Sequence, residues 1–467
     1  MKQSDGSRTP RRPFRAAMTL AATGCAVVLG GCVILGDKID QSIWHLNTLP
    51  FYVFDNAPVY HEPPQPVALP EPVNFCVAIS GGGSRAAVFA AAVMEEINRM
   101  PDPRHPGQSV LVDCHAVSAV SGGSLAAVYY GLYKPDRLGD PAADAAFFQR
   151  FKSNMGVNFD ARTAVHYLSH PWEAGLKYYT RYRVAQTLAN TMDQYLFKGA
   201  TFDKLSAREA CGQAPVTLVN ASNLDSGRKF IFSTMNVSKN MNPQAAALDA
   251  CLGRVASKRE APGMRLLGGI FASPAMGCDG FDSIGSDIGA LRVATAVSAS
   301  SAYPGVPGPA ALINYSTNGY VHLGDGGIND SFGIDSLMGY YFRTVQDSPK
   351  PRRLVILSIN ATGPMTPDKE KDPDGYTTTI GYGLRASGVL VTRAETYARA
   401  LYGTVDSVTV VPVNLAEAAC VDARFAAKLA TYSVTQDDMG IVVKAAGLLM
   451  TGEPGRKLTA ALSNGRR

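Results

Sequence analysis

The sequence predicts an α/β protein, a largely parallel sheet with helices packed on it, and three observations carry the prediction. From residue 74 onward, short apolar runs alternate with stretches of helical periodicity, the pattern of strand–helix units. Two of those runs pass through glycine-rich turns straight into helices, at 78–100 and 114–133. And 467 residues, 46% hydrophobic and 18% charged, are enough to bury one large core or two modest ones.

The chain opens differently. Arg8, Arg11, Arg12 and Arg15 precede an apolar run at 16–31 that is too short and too rich in alanine and glycine for a membrane span, so it reads as a secretory leader. The run ends in LGGC at 29–32, which resembles the bacterial lipoprotein signal, where small residues precede a cysteine that is lipidated and becomes the new N-terminus. Cys32 is the lipidation candidate; Cys25 is a poorer one, because Ala22 stands where the signal prefers leucine. Arg11-Arg12 is also a weak match to a twin-arginine export signal. Residues 1–31 are therefore the expected signal peptide. Residues 32–72 are the lipidated N-terminus and a tether whose proline density, in APVYHEPPQPVALPEPVNF at 57–75, makes it extended and semi-rigid.

The leader also holds most of the charge. Of the formal +5, Lys2, the four arginines and Asp5 account for a net of four, leaving +1 on the mature chain. With no basic aromatic stripe or recognition motif, no nucleic-acid partner is implied. Beyond Cys25 and Cys32 come Cys76, Cys114, Cys211, Cys251, Cys278 and Cys420, with no CxxC metal spacing. In an oxidising compartment Cys251 and Cys278 form the candidate bridge of least separation, with buried free thiols the alternative.

The strand candidates are residues 74–80, 109–118, 216–222, 320–325 and 353–360. An aromatic, helix-patterned insertion lies at about 135–205, and helical periodicity returns from about 384 to the end. Within that tail, residues 437–450 read as amphipathic, either for core packing or for contact with a membrane.

Two constellations carry chemistry. A nucleophilic serine at the top of an α/β sheet sits on a sharp strand-to-helix turn between small neighbours, with a helix N-terminus favouring developing negative charge. In CHAVSAVSGGSLAAVYYGLY, Ser121 meets these conditions, between Ala119 and Gly122-Gly123, whereas Ser118 still lies in the strand and Ser124 in the first helical turn, suited to capping. In AISGGGSRAAVF, the run Gly81, Gly82, Gly83 presents backbone N–H groups at a second helix start. There is no P-loop lysine, and Ala86 breaks the dinucleotide pattern, which leaves an oxyanion hole. The base is less evident. His322, last of seven histidines, would have to close any Ser-acid-His order, but it sits inside the strand YVHLGD, while Asp325 ends that strand before Gly326-Gly327.

Together G-G-G-x-R at 81–85, A-V-S-G-G at 119–123 and D-G-G at 325–327 resemble the patatin-like phospholipase family, supported by VNASNLDSGRKFIFS at 219–233 and ATAVSASSAYPGVPGP at 294–309. Ser80, Ala86 and Ala119 depart from the commonest family residues. The resemblance implies a three-layer α/β/α sandwich over residues 73–361, with 362–467 a helical part packed on it or extending it. It further implies a Ser121/Asp325 dyad with no metal and no cofactor. An oxyanion hole would come from the glycine loop, with Arg85 bracing that loop or meeting a phosphate, and the substrate would be a phospholipid or other acyl ester. The competing readings are a Ser-His-Asp esterase or peptidase using His322, and a lipoprotein that binds lipid without catalysis. With Cys32 lipidated and Val33 following it, the expected location is the bacterial cell envelope, at the outer membrane.

Overall fold

The computed structural model describes residues 55–463 apart from 59, 62–68, 70, 173–183, 256, 304–307, 349–351, 363–388, 390–392, 394, 395, 399, 422–433 and 435. The leader, Cys25, Cys32 and most of the tether thus lie outside the described residues. The chain divides into two compact units, residues 1–53 with 166–182 and residues 54–165 with 183–467, and the sheet lies in the second.

In chain order the strands are β1 (Ala57–Pro58), β2 (Val73–Ile79), β3 (Cys114–Val120), β4 (Val216–Asn223), β5 (Lys229–Phe232), β6 (Cys278–Asp279), β7 (Ser286–Asp287), β8 (Ala310–Asn314), β9 (Gly319–Asp325), β10 (Arg353–Asn360) and β11 (Val408–Asn414). The helices that bear on the site and the cores are α1 (Gly83–Arg99), α2 (Gly122–Tyr133), α3 (Pro141–Met155), α4 (Phe159–Ser169), α5 (Val184–Met192), α6 (Phe202–Ala210), α7 (Val237–Asn240), α8 (Ala245–Val255), α9 (Ala261–Phe271), α10 (Val293–Ser300), α11 (Ile334–Asp347), α12 (Leu415–Val421), α13 (Gln436–Thr451) and α14 (Glu453–Ser463).

The central sheet runs β11-β10-β2-β3-β4-β5-β6. From β11 to β4 every neighbour is parallel, while β5 and β9 both pair antiparallel with β4 and β8 pairs antiparallel with β9. A strand covered on both faces reads as an unbroken apolar run, and all seven residues of β2, VNFCVAI, are buried. Their alternation sorts them into two cores. Phe75, Val77 and Ile79 pack with side chains of α1, α2, α13 and α14; Cys76 and Ala78 pack with those of α8, α9 and α11. The result is the three-layer α/β/α sandwich, with a mixed but mostly parallel sheet.

Four details differ from, or settle, the sequence reading. The run at 109–118 becomes sheet strand only from Cys114; Ser109 makes an isolated bridge to Pro101, residues 110–113 form a turn, and Val110 and Leu111 are apolar because they are buried, not because they lie in the sheet. The region after 384 contains a strand, β11, which forms the sheet edge beside β10. Residues 437–450 fall in α13, which buries Val442, Ala445, Ala446 and Leu449 in the core that includes α1. Cys251 and Cys278 are buried free thiols rather than a disulfide. Among the described residues, no helix is long and apolar enough to cross a membrane.

Candidate active site

The site is assembled at the carboxyl end of β3, and the register explains how. β3 pairs with β4 up to Val120 opposite Asn220, where the chain turns away at Ser121. The next β4 residue, Ala221, pairs with Asp325 of β9 on one side and with Phe230 of β5 on the other. Because β5 lies on the side of β4 away from β3, β9 enters on the β3 side and takes over the edge that β3 vacates. Ser121 and Asp325 are therefore brought together by consecutive rungs of one strand.

Ser121 lies between β3 and α2 at φ 51° and ψ −128°. Such a conformation in a residue with a β-carbon costs of order ~1–3 kcal/mol and persists only where its surroundings hold it. Here its N–H donates to Ser300 Oγ at 2.8 Å, and its carbonyl accepts the Ser124 N–H at 2.9 Å and the Ser124 hydroxyl at 2.5 Å. Ser124 thus ties the turn through its hydroxyl proton, not as a cap that accepts an N–H. Ser118 is fully buried and accepts a hydrogen bond from Asn220 Nδ2 at 2.9 Å, so it is structural.

The glycines beside Ser121 are there for closeness. A β-carbon on Gly122 would stand 2.1 Å from the Gly83 carbonyl oxygen, and one on Gly123 would stand 2.5 Å from that of Ser80. The two glycine-rich turns therefore pack backbone against backbone, and one on Gly81 would stand 3.2 Å from Ser121 Cβ. Gly81 donates its N–H to Ser331 O at 3.3 Å, which commits that donor to the fold, and α1 then starts at Gly83. Gly82 and Gly83 have φ 136° and 61°, and the first turn of α1 has neither a capping side chain nor an acidic residue. A helix N-terminus in that condition favours an anion. Arg85, in the same turn, is 3% exposed, placing its guanidinium inside the protein.

Asp325 ends β9 at 5% exposure. Its carboxylate accepts the Gly327 N–H at 2.7 Å, and that bond and the nearby Ser121 hydroxyl both favour its charged form. Burial dominates over both and raises its pKa from 3.8 to about 6. A carboxylate with that value is a better base near neutrality than an exposed aspartate. Its own N–H donates to Ala302 O at 2.9 Å and its carbonyl accepts Ser222 Oγ at 2.8 Å, so the turn is fixed from both sides. Gly326 is a close approach as well: a β-carbon there would stand 2.2 Å from the Asn220 carbonyl.

His322 is three residues before Asp325 and faces the other side of β9. Its ring is exposed and its Nδ1 is 3.0 Å from Asp225 Oδ1. It is a surface-paired strand residue, and the geometry gives no support to a triad through it. Among the described residues, the cluster Asp102, His105 and Asp113 has metal-ligand types at suitable separations. Its buried carboxylate, however, already holds the Arg104 guanidinium in a fork of 3.0 and 2.6 Å.

Two residues of the site were not singled out within the stretches that hold them: Ser300, in the Ala/Ser-rich run at 294–309 that begins inside α10, and Asn220, in the run at 219–233 that begins inside β4. Asn220 Nδ2 donates to Ser118 Oγ and to Ala119 O, both at 2.9 Å, its Oδ1 accepts from Ser336 Oγ at 2.6 Å, and its carbonyl accepts from Ser300 Oγ at 2.6 Å.

Residues 77–338 match the family described as patatin-like phospholipase, a span that includes the glycine loop, the elbow, Asp325 and α10. The chain belongs to the patatin-like phospholipase family. No curated protein matches it. Among solved structures, human GIVD cytosolic phospholipase A2 is similar at 11% identity with a TM-score of 0.42, over 92% of this chain and 66% of that one. The same human enzyme in complex with methyl gamma-linolenyl fluorophosphonate gives 14% identity and a TM-score of 0.41, over 84% and 59%. The patatin-like chain thus spans no more than about two thirds of the length of these proteins.

Proposed function

We propose that this patatin-like protein is a serine acyl hydrolase that cleaves fatty-acyl esters of phospholipids and lysophospholipids through an acyl-enzyme, with Ser121 as nucleophile and Asp325 as its base. The observation that carries the reading is the register that sets Ser121, held on a strained elbow, beside the buried Asp325 carboxylate, whose pKa is raised to about 6.

In the first half-reaction Ser121 Oγ attacks the ester carbonyl carbon while its proton passes to Asp325. The negative oxygen of the tetrahedral intermediate faces the N–H groups of Gly82 and Gly83 at the start of α1. Collapse breaks the bond to the alcohol, which leaves with the proton from Asp325. In the second half a water gives a proton to Asp325 and attacks the acyl carbonyl. Ser121 Oγ then recovers that proton as the fatty acid departs. The carbonyl is polarised by backbone donors, and no step calls for a metal or cofactor.

The leader completes the proposal. Lipidation at Cys32, in LGGC, would tether the enzyme to the cell envelope, at the outer membrane since Val33 follows. Each buried methylene adds ~0.8 kcal/mol of membrane affinity, so a multiply acylated cysteine keeps the enzyme at its lipid substrate.

The test is lipid mass spectrometry after purified mature protein is incubated with mixed bacterial phospholipids in excess chelator. Release of free fatty acid by wild type and none by Ser121→Ala is expected. No release by a well-folded wild type, or release that requires added calcium, overturns the reading.

A further inference from the structure

We propose that Ser300 is a positioning residue for the nucleophile, setting the backbone of Ser121 and through it the direction of Oγ. This rests on Ser121 being the nucleophile.

A serine hydroxyl can donate one hydrogen bond and accept two. Ser300 lies at the end of α10 and is fully buried. Its proton goes to the Asn220 carbonyl at 2.6 Å, which leaves lone pairs to accept the Ser121 N–H at 2.8 Å. The polarity of the pair is thereby fixed. At φ 51° Ser121 stays in place only if both ends of its backbone are held. Ser124 holds the carbonyl end, and Ser300 holds the amide end.

What Ser300 holds the amide against is itself rigid. Asn220 fastens Ser118 and Ala119 of β3 with its side-chain amide and Ser336 of α11 with its side-chain carbonyl. The same Asn220 carbonyl that receives Ser300 is the group against which Gly326, next to Asp325, is packed. Ser300 therefore sets the nucleophile against the same atom that positions the base. A second consequence follows for the chemistry: the Ser121 N–H is committed to Ser300, so the oxyanion must be received by other backbone donors.

The experiment compares rates of covalent labelling by a fluorophosphonate probe with hydrolysis of a soluble short-chain ester. Ser300→Ala is expected to label about 10- to 100-fold more slowly, the loss that follows when a reacting group is misplaced by about an ångström. The final stoichiometry should remain one label per chain, and kcat should fall with KM unchanged. Ser300→Thr, which keeps the hydroxyl, should recover most of the rate. A merely structural role would lower the fraction of chains that label and leave the rate of the rest alone, and that result overturns the proposal. So does wild-type labelling in Ser300→Ala. If Ser300→Ala does not fold, Ser300→Cys, with a weaker acceptor of similar shape, should label at an intermediate rate; wild-type labelling there overturns the proposal equally. Absence of label at Ser121 in the wild type refutes the proposed function instead, a distinguishable outcome.

Discussion

Replacing Asp325 by asparagine removes the proton acceptor while keeping its size, and should lower activity and raise stability together. Burial raises this carboxyl from 3.8 to about 6. The folded state therefore binds its proton more tightly than the unfolded one, and stability falls as pH rises between those two values. Above about 6 the full cost is in place: some two units at 1.36 kcal/mol each, or ~3 kcal/mol. Asparagine carries no charge to desolvate. Asp325→Asn should then be more stable than wild type by up to ~3 kcal/mol at pH 7.5, a difference shrinking to about 1 kcal/mol at pH 4.5. Turnover of a soluble ester should meanwhile drop by at least the ~10²–10⁴ that general-base catalysis supplies. In wild type, kcat/KM should rise tenfold per unit below pH about 6 and level off above it. The assays are urea unfolding at the two pH values and a pH–rate profile. Equal stability of the two proteins at both pH values, or a limb near pH 6 that survives in Asp325→Asn, refutes the argument.

Three further outcomes follow. Gly122→Ala places a methyl 2.1 Å from the Gly83 carbonyl, so it should destabilise by at least about 1–3 kcal/mol and abolish fluorophosphonate labelling; a stable, labelled variant contradicts the backbone-to-backbone packing of the two turns. His322→Ala, at an exposed residue paired with Asp225, should leave kcat/KM within about threefold, as for surface substitutions generally; loss of activity in a folded protein would restore the triad reading. Cys32→Ala should release the protein from membranes or leave its leader uncleaved, and unchanged membrane fractionation rejects the anchor.

Much of the site was legible because its parts are local. The elbow and the glycine loop are each a short run in which small residues are required by contacts visible in the structure, and the Asp325 turn is a third. What brings them together is not local: β9 entering antiparallel beside β4 depends on pairing between residues about a hundred apart. Ser300 and Asn220 lie in stretches that supported the family resemblance, but nothing marked them within those stretches, since a serine in an Ala/Ser helix and an asparagine in an apolar strand look like filler until their partners are seen. β11 was hidden for a different reason. It contains Pro412, which argues against an interior strand, but among the described residues β11 pairs on one side, with β10, and an edge strand tolerates a missing N–H. At 109–113, the apolar signal was burial outside the central sheet, with Ser109 bridged to Pro101.

The central claim is that Ser121, activated by Asp325, carries the acyl group. Acid-quenching the protein during hydrolysis of a slowly deacylating ester, then mapping its peptides by mass spectrometry, tests this most directly. An acyl adduct is expected on Ser121 in wild type, with no adduct in Asp325→Asn on the same timescale. An adduct on any other residue, or steady release of fatty acid by a Ser121→Ala protein, would contradict it.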